Sequence, residues 1–303
     1  MSDIAAPTGP PPPPPRRESA PALGLLLACH PGPTVAVTTL VTALAAAAGR
    51  DAGGCALVGA AVLSGQLSVG WCNDAVDAAH DRAAGRTGKP VPAGLVGAER
   101  VALAARSALV VCVPLSYASG PAAGTVHLLG VGAAWAYDLG IKGTAGSWVP
   151  YAIGFGSLPA FVAFGLPGRP SPTWWIVAAS ALLGCGAHLA DALPDLADDR
   201  ANGVRGLPHR LGPTGIRVLT PLPLLAATAL LAYGCSDRAG RAALVGAATL
   251  AAAGTLLGGR HPRVPFATSV AVAAIDVSLL LRRGTGIARS TARLTRRSSR
   301  QCA

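Results

Sequence analysis

Polar and apolar residues along this chain come in long blocks and do not alternate residue by residue. Apolar stretches lie near 23–47, 53–75, 96–118, 121–140, 147–166, 173–193, 213–234, 239–258 and 264–282, with short polar breaks between them. A helix that crosses a bilayer needs about 20 such residues. Lipid admits only helices or closed barrels, because each backbone polar group must find its partner internally. Unbroken apolar runs of this length predict helices. The pattern therefore predicts an all-α polytopic membrane protein with nine transmembrane helices, in which abundant Gly and Ala permit close helix packing.

Two of the breaks differ from the rest. Residues 73–94 and 191–212 hold seven of the chain's fourteen acidic residues: Asp74, Asp77, Asp81, Asp191, Asp195, Asp198 and Asp199. The other connections are short and plain, so chemistry is expected at these two.

Composition agrees with the pattern. Of 303 residues, 51% are hydrophobic and 13% charged, with a mean hydropathy of +0.47. A soluble domain carries about 25% charged residues, so an ordinary soluble enzyme and a disordered chain are both excluded. The net charge of +11 would suggest a nucleic-acid partner in a soluble protein. Here the basic residues gather at loops and tails, where membrane proteins place them, and no aromatic-studded basic patch accompanies them. No nucleic-acid partner is expected. The seven cysteines include no CxxC pair and read as small buried residues.

Three regions follow. Residues 1–22 form a proline-rich cytoplasmic tail, 23–282 the membrane domain, and 283–303 an arginine-rich tail. With the N-terminus inside, thirteen basic residues fall in inner segments and four (Arg50, Arg169, Arg238 and Arg241) in outer loops. That asymmetry predicts a multi-pass protein of the cell membrane with both acidic breaks facing the cytoplasm. The C-terminal tail conflicts with it, because nine spans would leave that tail outside.

In the first break Asn73, Asp77 and Asp81 are spaced i, i+4, i+8, and in the second Asp191, Asp195 and Asp199 repeat the spacing. On a helix each step of four drifts by only about 40°, so each trio forms one stripe of oxygens. Pro194 would loosen the second helix. Two facing stripes make a cage of hard oxygen ligands of the kind Mg²⁺ prefers, together with phosphate oxygens. Solvated loop charges are the plain alternative; two motifs of equal spacing at span ends argue against it. Arg82 and Arg86 follow the first motif, and their guanidinium groups suit a diphosphate. Lys142, one of two lysines in the chain, lies in a short turn on the same side and offers a further cation for a diphosphate.

These residues together resemble the UbiA superfamily of intramembrane prenyltransferases. The matching pieces are the NDxxDxxxD run at 73–81, the RTGKPVPAG run at 86–94, the YxxxxK element at 137–142 and the DxxxD run at 191–199. The resemblance implies nine helices around a central lipid-accessible cavity, capped on the cytoplasmic side by the two Asp-rich loops. It implies Mg²⁺ held by Asn73, Asp77, Asp191 and Asp195, with Asp74, Asp81 and Asp199 in support. Arg82, Arg86 and Lys142 would hold the diphosphate, and Asp77, Asp191 and Lys142 would carry the catalysis. A polyprenyl diphosphate would then ionise and pass its prenyl group to an acceptor of unknown identity within the membrane lipid. Where aromatic-acid members carry an arginine near the start of the first span, this chain has Cys29-His30-Pro31, which makes His30 the acceptor-side candidate.

A terpene cyclase of the same superfamily is the main alternative. It would gain from aromatic faces around a cation, and the chain has only four Phe, four Tyr and five Trp. Phosphoribosyl transfer is also compatible with the fold, and an ion transporter is the last reading. Asp276, inside the last apolar stretch, should face the bundle interior, and Trp71 and His188 read most simply as an interface anchor and a packed histidine.

Overall fold

The computed structural model describes residues 19–193, 196, 203–233, 238–258, 261 and 264–287. Within them the chain is helical, with no β-strand. In chain order the helices are α1 (Pro21–Ala28), α2 (Pro31–Ala47), α3 (Ala52–Ala83), α4 (Ala98–Tyr117), α5 (Pro121–Asp138) and α6 (Trp148–Phe164). They continue as α7 (Trp174–Asp191), α8 (Leu207–Leu219), α9 (Pro221–Tyr233), α10 (Arg238–Leu257) and α11 (Val264–Arg282). Helices α2 to α7 pack in sequence. α7 then meets α9, and α11 packs on α7, α9 and α10 and returns to α2, closing a ring.

All nine apolar stretches are helical, but two are broken. The first bends by 57° between α1 and α2, and the seventh by 45° between α8 and α9. The sequence places a proline at each break. Pro31 disfavours helical backbone at His30, which adopts φ 53°, and itself starts α2 in a position that needs no N–H partner. Pro221 likewise starts α9, although Thr220 before it keeps helical backbone (φ −54°, ψ −42°). Among the described residues four helices (α3, α4, α10 and α11) are long and apolar enough to cross a bilayer, and up to six units are if each bent pair is one span.

Helix α3 fixes the scale. Its 32 residues reach about 48 Å at 1.5 Å each, well beyond the roughly 30 Å hydrocarbon core. Asp51 caps its N-terminus, its Oδ1 accepting from the Gly54 N–H at 2.8 Å. The surplus length carries Asn73–Arg82 beyond the apolar part of the helix. The main apolar core lies at the opposite end, where Val41, Leu44, Val58, Val62, Phe161, Ile176 and Leu279 are all buried. Val110, Val245 and Leu256 are exposed apolar side chains, as lipid contact requires. The chain is thus apolar and tightly packed at one end and polar at the other.

The last described residues lie at the apolar-core end. Thr173 donates its backbone N–H to Ile287 O and its hydroxyl to Gly286 O, both at 2.8 Å. The described chain therefore ends, at Ile287, at the end opposite the acidic motif.

Candidate active site

The break between α1 and α2 builds one wall. Gly70 lies so close to it that a Cβ there would stand 2.5 Å from the Cys29 carbonyl oxygen. The Trp71 indole N–H donates to Leu25 O at 2.8 Å. This contact sets His30 one turn along α3, where its Nε2 lies 3.1 Å from Asp74 Oδ1. Trp71, read from the sequence as an interface anchor, ties α1 to α3.

The loop after α3 folds back on the same helix. Lys89 Nζ is 2.8 Å from Asp81 Oδ2 and 3.5 Å from Asp74 Oδ1, and Arg86 Nη1 is 3.2 Å from Asp81 Oδ1. Asp74 and Asp81 are buried, so these cations do more than decorate a surface. Burial opposes the charge on Lys89, but Asp81 and Asp74 outweigh it and hold its pKa above the ordinary lysine value. Lys89 therefore stays charged across the neutral range. Arg82 is exposed at the end of α3.

The opposite edge of the α3 stripe meets α5. The Asn73 side-chain amide donates to Asp138 Oδ1 at 3.0 Å, and Lys142, on the short 3₁₀ turn Ile141–Gly143, donates to Asp77 Oδ1. Asp138 is buried, and its Oδ2 has no hydrogen-bond partner. An orphaned buried carboxylate oxygen is costly unless a ligand meets it. Sequence reasoning passed over this residue, although it sits inside the YxxxxK element.

The second motif connects through aromatic rings. Tyr151 donates its hydroxyl to Asp191 Oδ2 at 3.2 Å. Its ring lies 5.2 Å from Tyr137 and 4.8 Å from His188, centroid to centroid. His188 is buried with its Nε2 3.0 Å from Ser147 Oγ, which also accepts the Leu207 N–H at 3.1 Å. A continuous path thus runs from Asn73 through Asp138, Tyr137 and Tyr151 to Asp191, at one end of the bundle. Asp195, Asp198 and Asp199 lie outside the described residues. Among the described residues no three His, Cys, Asp or Glu side chains converge to hold a metal. The donor set is nonetheless of the right kind for Mg²⁺: the Asn73 carbonyl oxygen, Asp77, Asp191 and the unpartnered Asp138 Oδ2 are all hard oxygens.

The chain resembles known proteins in sequence and in fold. The sequence model of the UbiA prenyltransferase family matches residues 35–275. The bacteriochlorophyll synthase 33 kDa chain of Cereibacter sphaeroides is 30% identical over 199 residues, 59% of this chain and 64% of that protein. The chain thus spans a little under two thirds of that relative. Among solved structures, an apo UbiA homolog from Aeropyrum pernix superposes with TM-score 0.64 at 20% identity, over 86% of this chain and 97% of that one. A UbiA homolog from Archaeoglobus fulgidus bound to GPP and Mg²⁺ gives TM-score 0.64 at 14% identity, over 87% and 100%. At these identities the two structures bear on the fold alone.

Proposed function

The chain belongs to the UbiA prenyltransferase family, and we propose that it is an integral membrane enzyme that transfers a prenyl group from a polyprenyl diphosphate to a lipophilic or aromatic acceptor, releasing pyrophosphate. One observation carries this reading. A run of oxygen donors and cations (Asn73, Asp77, Asp138, Lys142, then Tyr151 and Asp191) is assembled from four helices and a 3₁₀ turn at one end of the bundle. The Mg²⁺ and prenyl diphosphates named for the Archaeoglobus fulgidus homologs support the choice of cofactor and donor.

Asn73, Asp77, Asp191 and Asp195 would hold Mg²⁺, with Asp138 adding an oxygen and Asp74, Asp81 and Asp199 supporting the cage. When bound, the metal neutralises the diphosphate and stabilises the charge that develops on departing pyrophosphate. Lys142, Arg82 and Arg86 bind the diphosphate oxygens and orient the allylic C–O bond. That bond breaks with its electron pair leaving on pyrophosphate. The acceptor then donates an electron pair to the allylic carbon and loses a proton. His30, half exposed beside Asp74, is the acceptor-side residue. Nine spans, a central cavity and a cytoplasmic cap belong to the same reading, as does the division into tail, membrane domain and tail at residues 22 and 282.

Cyclisation of the donor is the second reading, and one feature favours it. Although aromatics are scarce, two of the four tyrosines, Tyr137 and Tyr151, gather beside Asp191. Incubation of the purified protein with GPP or DMAPP and Mg²⁺, with and without a panel of aromatic and glyceryl acceptors, separates the two. Transfer is expected, with pyrophosphate release rising by about tenfold or more when a competent acceptor is added, since only then does the cation meet a placed nucleophile. Stoichiometric pyrophosphate with a cyclic hydrocarbon in the acceptor-free mixture would promote the cyclase instead.

Orientation has its own test. In a background without the native cysteines, Ala84→Cys should label from the cytoplasmic side of intact cells and Ala52→Cys from outside. Reversed labelling would refute the cytoplasmic placement of the acidic motif.

A further inference from the structure

At the end of the bundle opposite the acidic motif, the loops α2–α3, α4–α5 and α6–α7 surround a cavity of ≈ 530 Å³. It lies about 35 Å from Asp74, measured along α3 from Asp51 at 1.5 Å per residue. Two of the four arginines in the sparsely charged loops, Arg50 and Arg169, line it although 119 positions separate them in the chain. Neither has a carboxylate partner among the described residues. The Arg50 guanidinium lies against Gly165, where a Cβ would stand 2.6 Å from Nη1, and that buried nitrogen has no hydrogen-bond partner. Ser119 also lines the cavity; it is 8% exposed and its Oγ is likewise unpartnered. Arg169 passes beside Gly120, its Nε 3.8 Å from the position of a Cβ there.

We propose that this cavity is a phosphodiester-binding site that holds the headgroup of an anionic lipid. Guanidinium groups bind phosphate oxygens with matched planar geometry, and an orphaned buried hydroxyl supplies a further donor. Asp51 sets the charge preference. Its carboxylate also lines the cavity and is fixed by its bond to the Gly54 N–H. Two arginines and one aspartate leave an excess of a single positive charge, which complements a monoanionic phosphodiester better than dianionic free phosphate. The position of the site, in loops joining apolar helices, puts it at headgroup depth. It is separate from prenyl transfer and stands whether or not that chemistry is as proposed.

The test is thermal unfolding of the detergent-purified full chain with phosphatidylglycerol, diacylglycerol or inorganic phosphate added. Phosphatidylglycerol should raise the unfolding temperature and diacylglycerol, which lacks the phosphate, should not. Arg50→Gln and Arg169→Gln should each weaken the apparent phosphatidylglycerol affinity by about tenfold, the loss expected for one charge-assisted contact. Arg169 is exposed, so its variant keeps the test open should Arg50→Gln not fold. Prenyl diphosphate turnover should be unchanged in Arg169→Gln at saturating detergent. An equal response to diacylglycerol, or full lipid response in Arg169→Gln, would overturn the site. A matching shift with inorganic phosphate alone would overturn the lipid-headgroup assignment.

Discussion

Asp77→Ala and Asp191→Ala should each lower prenyl diphosphate turnover by about 10³-fold, the scale of losing a principal electrostatic stabiliser of a transition state. Both carboxylates lie on the polar end of the bundle, away from the packed core around Leu44, Val58 and Phe161. Neither substitution opens a cavity in that core, so both variants should purify as folded membrane protein. They differ in what they release. Asp77→Ala frees the Lys142 ammonium from its partner, which should strengthen ground-state diphosphate binding while turnover is lost. Asp191→Ala removes the acceptor of the Tyr151 hydroxyl and should leave Lys142 paired. Measuring KM and kcat separately checks this, because an interaction made only in the transition state appears in kcat. Either variant with wild-type kcat would remove the two-motif site from consideration.

Chelation of divalent metal should stop turnover completely and reversibly, without unfolding the protein. The reason lies in how the acids are arranged. Lys142 neutralises Asp77, while Lys89 and Arg86 neutralise Asp74 and Asp81. The carboxylates are therefore stable side by side without metal, which they would not be if left to repel one another. The same pairing makes Lys142 a competitor for the Asp77 oxygens. Lys142→Met should thus reach half-maximal activity at a lower Mg²⁺ concentration, yet with kcat reduced by about 10²-fold, because a diphosphate contact is gone. Full turnover in excess chelator would refute metal assistance. A higher Mg²⁺ requirement in Lys142→Met would show that the lysine and the metal do not compete for Asp77.

Legibility followed the range of each interaction. His30 was visible as a departure from an expected arginine, but its bond to Asp74 depends on the close approach at Gly70, 40 positions away in the chain. Lys89 stood in a matched motif and still gave no sign that it would bridge Asp74 and Asp81. Asp138 was overlooked because a single acid after an aromatic has no spacing partner to mark it. Its role comes from Asn73, on another helix. Counting aromatics across the whole chain argued against cation stabilisation, whereas Tyr137 and Tyr151 are concentrated at the site.

By itself the sequence determined what rests on local or additive physics. Apolar blocks without alternation meant helices in lipid, the fourfold spacing of Asn73, Asp77 and Asp81 meant one stripe of oxygens, and the motif order identified the family. Prolines at 31 and 221 were also present to be read, yet whether they end a helix or bend a span was decided by packing, as the 57° and 45° breaks show. Only the tertiary structure decided which groups meet. Thr228 donating to the buried Asp276 at 2.6 Å, Ser147 holding His188, and Arg50 sharing a cavity with Arg169 are such meetings. A contact between distant positions depends on how the ring of helices closes, with α11 returning to α2. That closure is set by the fit of many small residues at once, and no single stretch of sequence carries it.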